Sequence, residues 1–273
     1  MKIIALFLIP CLSLAQAQGI NRYYYKMTIN DSVAKNYSET FMLNISSSAT
    51  EFKNIEYLTP MVSDVIVNKN EGRFVISGNA NTLPKNFIRG RIYRDMNSNL
   101  FKTVETLVID YLIADSIQTA QWKILADTAN IEGLSCQKAR GFVYGRNYTV
   151  FFAKDIPLPY GPWKLGGLPG LIVSAQDDEM EFGFRIVSPD KEIVKRNNAS
   201  IELPVGVKFR QINKYDYLRY SRMFQENSEL YVKMVTGGEV QFKSRDDQSL
   251  NIPTQQKSKR VIVPLFCRIE HLK

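Results

Sequence analysis

At 273 residues, with 45% hydrophobic and 11% aromatic side chains, the chain is large and apolar enough to bury a core, which excludes an intrinsically disordered protein. Its formal charge of +8 at pH 7 raises the question of nucleic acid, because clustered Lys and Arg displace counterions from phosphate. The basic residues are scattered, only Lys257, Lys259 and Arg260 cluster, and no nucleic-acid motif accompanies them, so they read as a solvated basic face, with weak attraction to anionic membranes as the alternative.

Met1 and Lys2 supply a short positive region, Ile3 to Leu14 an apolar run, and Ala15-Gln16-Ala17 an A-x-A cleavage site. This order predicts export, with residues 1–17 as a signal peptide and 18–273 as a single β-rich domain. The apolar run is interrupted by Pro10 and falls short of the roughly 20 residues a spanning helix needs. No later segment comes closer, so no membrane span is predicted. Cys11 sits in a weak imitation of a lipid-attachment box, where Pro10 stands in place of a small residue. The expected location is the periplasm, the periplasmic face of an outer membrane, or the exterior.

Short apolar and β-branched runs predict strands at Asn21 to Asn30, Glu39 to Ile45, Arg73 to Ser77, Phe101 to Tyr111, Gln121 to Leu125 and Tyr144 to Phe152. From Glu181 to Val187 every second residue is apolar, which predicts a strand with one wet and one dry face. Asp177-Asp178-Glu179 precedes it and reads as an acidic, solvated hairpin turn, with a hard-cation site including Glu181 as the alternative. From Tyr215 to Val235, apolar residues recur at three-, four- and seven-residue spacings before Gly237-Gly238, which predicts one main helix within Asn213 to Val235. The fold class is therefore mainly β (α+β): a curved antiparallel sheet or half-barrel with one helix from the C-terminal half packed on it. Val261 to Val263 reads as a final strand returning to the sheet.

Cys136 and Cys267 are the two cysteines left after leader removal, in a compartment that permits oxidation. Two arrangements are open, one disulfide or two separate buried thiols. The sole histidine, His271, is third from the carboxyl end, and neither H-E-x-x-H nor C-x-x-C occurs. Gly166-Gly167 followed by Gly170 is interrupted by Pro169 and does not make a phosphate loop. The chain is read as a non-enzyme without cofactor or metal, although a carboxylate pair recognised only by its spatial separation is outside what spacing reveals.

The most distinctive composition runs from Asp155 to Ile172, where prolines 157, 159, 162 and 169 and glycines 161, 166, 167 and 170 exclude a helix or a central strand. Tyr160, Trp163, Leu165 and Leu168 make it too apolar for an ordinary solvated loop, and a rigid, ordered connection is predicted from Gly161 to Gly170. Gly167-Leu168-Pro169-Gly170-Leu171-Ile172 is similar to the signature of the GLPGLI family of exported proteins from Gram-negative bacteria. Ile131 to Ala139, Gly145-Arg146, Asp155-Ile156-Pro157, Gly161-Pro162-Trp163-Lys164 and Trp122 extend the resemblance, which departs from the pattern at Phe151 and at Pro264 to Cys267.

That family carries no assigned activity, and the resemblance implies an envelope setting near outer-membrane receptors of the TonB-dependent type. Three uses of the segment are open. Tyr160, Pro162, Trp163, Leu165 and Leu168 dock on a receptor or other envelope protein; they line the sheet's concavity for an apolar ligand such as a lipid or peptide; or they plug one end of the sheet. A hydrolase with an unrecognised carboxylate site is a further alternative.

Overall fold

The computed structural model describes residues 19–31, 36–55, 64–68, 73–77, 90–107, 109–188, 201, 209–237 and 239–243. Residues 1–17, Val261 to Val263, Cys267 and His271 lie outside them.

Fifteen strands and two helices are formed among the described residues. In chain order the strands are β1 (Asn21–Ile29), β2 (Tyr37–Ile45), β3 (Ala49–Asn54), β4 (Asp64–Asn68), β5 (Arg73–Ser77), β6 (Arg91–Asp95), β7 (Leu100–Thr106) and β8 (Asp110–Ser116). There follow β9 (Lys123–Ile131), β10 (Leu134–Val143), β11 (Arg146–Ala153), β12 (Leu171–Asp177), β13 (Phe182–Val187) and β14 (Arg210–Ile212). Helices α1 (Lys214–Glu226) and α2 (Ser228–Thr236) precede β15 (Glu239–Lys243).

Twelve strands make one sheet in the order β14-β8-β7-β6-β3-β2-β1-β13-β12-β11-β10-β9, and β15-β5-β4 make a second. Pairing is antiparallel except for β14 on β8 and β15 on β5. The large sheet is curved, and chain connectivity requires it. β8 and β9 stand ten strand steps apart, about 48 Å if flat, yet only residues 117–122 join them, a reach of roughly 24 Å. The join is closed by hydrogen bonds: Gln118 N–H donates to Tyr144 Oη at 3.2 Å, and Tyr144 N–H to Gln118 Oε1 at 3.0 Å.

The inner face of this curve carries the core. Tyr25, Met27, Phe41, Phe52, Val150, Phe152, Phe182 and Phe184 are all buried there, with Phe41 stacked on Phe52 at 5.0 Å. The expected alternation in β13 is present, with Phe182, Phe184 and Ile186 buried and Arg185 exposed. The outer face differs along the sheet. Over β2 and β3 it is buried and polar, with Glu51 holding Lys53 Nζ at 2.8 Å and the Arg91 guanidinium. Burial pushes the Lys53 ammonium below its usual range, against the opposing pull of Glu51.

Two expectations are corrected. The run from Phe101 to Tyr111 is two strands: the chain turns between β7 and β8, where Leu107 N–H donates to Ile109 O at 3.3 Å. Its apolar turn residues hid the break. The single helix is two, because Asn227 ends α1, its N–H donating to Met223 O, while its side chain caps α2 by accepting from Leu230 N–H at 2.9 Å. Both helices pack on β8, where Tyr111 and Ile113 meet Tyr217, Tyr231 and Val232.

Candidate functional site

The segment between β11 and β12 is ordered by its own backbone. Leu171 N–H donates to Ile156 O, Ile172 N–H to Tyr160 O, Gly167 N–H to Pro159 O and Leu165 N–H to Pro162 O, at 2.9–3.1 Å. Two glycines are needed for different reasons. Gly167 has φ +89°, open to residues without a Cβ. Gly170 lies so close to β11 that an added Cβ would meet Ala153 O at 2.3 Å.

From this frame Trp163, Leu165 and Leu168 enter the core, each no more than 4% exposed, and Pro162, Leu171 and Ile172 are buried as well. Trp163 takes φ +58°, an unusual conformation for a bulky residue, and meets the Tyr144 ring edge-on at 5.0 Å. Trp122 holds the segment from the β8–β9 connection by donating Nε1–H to Gly166 O at 2.8 Å. Tyr25 Oη–H donates to Ile172 O at 2.8 Å. Tyr160 is half-buried, its ring 5.7 Å from the Arg94 guanidinium, while Pro157, Pro159, Gly167 and Pro169 form an exposed rim. The faces of Trp163, Leu165 and Leu168 expected to meet a partner are therefore turned inward.

Lys164 goes inside with its neighbours. Its ammonium pairs with Asp115 on β8 at 2.8 Å and lies 5.3 Å from the Tyr144 ring and 6.0 Å from that of Phe101. Glu105 on β7 is buried too, and its Oε1 makes no hydrogen bond among the described residues. Burial pushes its carboxyl well above the usual range, with Lys164 pulling the other way. Glu105 stands opposite Tyr111 in register, and Tyr111 Oη lies 2.7 Å from Tyr231 Oη. Glu105 and Lys164, both buried, and the half-buried Asp115 thus gather at β7 and β8. Sequence spacing offered no signal for them, because Glu105, Asp115 and Lys164 come from separate segments.

The acidic turn after β12 is also only partly solvated. Asp177 is buried, accepting from Phe182 N–H at 2.8 Å and pairing with Arg146 Nη1 at 2.7 Å; Glu181 reaches Arg146 Nη2 at 2.9 Å. The Arg146 guanidinium thus faces three of the four carboxylates of the alternative cation site, Asp177, Glu179 and Glu181, while Asp178 pairs with Arg140. Cys136 is buried, its thiol donating to Leu134 O at 3.2 Å, and burial raises its pKa. Because Cys267 lies outside the described residues, so does its pairing with Cys136.

No family model and no curated protein matches the chain. Two solved structures of PNGF-II, in P21 and C2 crystal forms, are similar to it with TM-scores of 0.44 and 0.45 and identities of 14% and 15%. Each match covers 74% of this chain, which spans about a third (32%) of the length of either structure. No helix among the described residues is long and apolar enough to cross a membrane.

Proposed function

We propose that this is an exported, non-enzymatic protein of the cell envelope, of the GLPGLI type, acting as an accessory partner of an outer-membrane system such as a TonB-dependent receptor. The single observation that supports this reading is the filling of the inner face by the chain's own Trp163, Leu165 and Leu168. Side chains committed to the core leave the outside of the fold to meet a partner. The docking surface is the rim of the same segment, Pro157, Pro159 and Pro169 with the half-buried Tyr160, held stiff by proline and by the backbone bonds beneath it. A stiff rim loses little conformational entropy on binding.

Photo-crosslinking in intact envelopes tests the reading. A crosslinker at position 159 or 169 is expected to capture a discrete envelope protein, whereas one at 163 yields only internal adducts. Absence of any adduct from 159 and 169, or a lipid adduct from 163, contradicts it; the latter outcome favours an apolar-ligand binder.

A further inference from the structure

The basic residues are scattered in sequence, but the sheet gathers four of them. One cross-strand row on the outer face reads Lys138, Phe151, Ser174, Arg185, Lys26 and Thr40 across β10, β11, β12, β13, β1 and β2. The adjacent row reads Arg140, Thr149, Gln176, Gly183, Thr28 and Ser38. These two rows hold four cations, no carboxylate and a field of hydroxyl groups. Lys26, Arg140 and Arg185 are exposed. Asp178 reaches Arg140 at 2.8 Å from the β12–β13 turn, and Glu132 approaches Arg185 only to 3.8 Å.

Lys26 and Arg185 stand directly opposite each other, an arrangement that costs stability between like charges. An anionic surface laid over the pair reverses that cost. The rows span six strands, about 24 Å, and their large apolar member, Phe151, is half-buried. Protein partners are ordinarily met with an apolar centre, whereas the exposed ring on this face, Phe142 of β10, stands outside the two rows. Lipid headgroups need cations and hydrogen-bond donors without such a centre.

We infer that the outer face of β10–β11–β12–β13–β1 binds the phosphate-bearing headgroups of an anionic lipid surface through Lys26, Lys138, Arg140 and Arg185. The inference uses the proposed envelope placement only for where binding takes place; the face itself is independent of the rim.

The test is co-sedimentation of the purified protein with vesicles of phosphatidylcholine alone or with about one-third phosphatidylglycerol. Binding is expected to the anionic vesicles, falling steeply with salt. The K26Q/R185Q variant should partition roughly tenfold or more weakly, with its thermal midpoint unchanged or raised. R219Q/R222Q, which removes two cations from α1 instead, should bind as the wild type does. Equal binding to both vesicles, full binding by K26Q/R185Q, or equal loss in R219Q/R222Q overturns the inference. Capture of a polyglutamate peptide with no vesicle binding also overturns it, in favour of an acidic protein partner. Because these vesicles contain no protein, failure here leaves the crosslinking result at the rim untouched.

Discussion

Gly170 and Ala153 are packed backbone to backbone: a Cβ on residue 170 would lie 2.3 Å from Ala153 O, at the point where the signature segment rejoins the sheet as β12. The contact accounts for a glycine whose φ is unremarkable. Gly170→Ala should cost about 1–3 kcal/mol, since a main-chain oxygen cannot swing aside as a side chain could. Gly167→Ala should cost about 1–2 kcal/mol for a different reason, its left-handed backbone. Gly19→Ala, with nothing within 4 Å, serves as the neutral comparison. Chemical denaturation of the three variants checks the order, and an unchanged midpoint for Gly170→Ala contradicts the close approach.

Trp163 anchors the segment in the core, and Trp122 holds it by a hydrogen bond to Gly166 O. Trp163→Ala removes a buried aromatic and should cost about 3–5 kcal/mol. Trp122→Phe keeps a ring over the sheet but loses the hydrogen bond to Gly166 O, and should cost about 1 kcal/mol. Equilibrium unfolding followed by circular dichroism reads both. A Trp163→Ala protein as stable as the wild type would place that side chain outside the core.

Glu105 gives the fold a pH dependence with a definite sign. Its pKa is raised in the folded state, because burial disfavours the carboxylate. Its contribution is therefore fully present below the unfolded carboxylate value and is lost as pH rises through the higher folded value. Glu105→Gln cannot ionise and should flatten this loss. Thermal midpoints measured from pH 4 to pH 9 should show the variant gaining on the wild type as pH rises; parallel profiles would show that Glu105 does not titrate across the transition.

Asn227 both ends α1 and caps α2, so the break depends on one side chain. Asn227→Ala should cost about 0.5–2 kcal/mol and increase amide exchange at Leu230, whose N–H the side chain accepts. Unchanged protection there would mean that the break is fixed by packing of Tyr217 and Tyr231 alone.

What the sequence made legible followed from short-range physics. Alternation in Phe182 to Val187 predicted a strand, three- and four-residue spacing located the helical stretch, and proline with apolar side chains predicted an ordered signature segment. What it concealed depended on partners distant in the chain. Asp177 looked solvated because Arg146 is 31 residues away. Nothing near Lys164 in the chain signals its burial, because Asp115 and the Tyr144 ring come from elsewhere. The Lys26–Arg185 pair exists only through the register of β1 on β13. The helix break escaped because Asn227 fits a helical spacing as well as it fits a cap.

Fluorescence of a protein whose only tryptophan is Trp163 reads whether the segment from Gly161 to Gly170 is turned into the fold. Trp122→Phe provides it, since the chain has two tryptophans. The native variant should show blue-shifted emission and strong shielding from acrylamide, both abolished by denaturant. Native emission at the position of the unfolded protein, with full quenching by acrylamide, would put Trp163 in solvent and the segment outside the core.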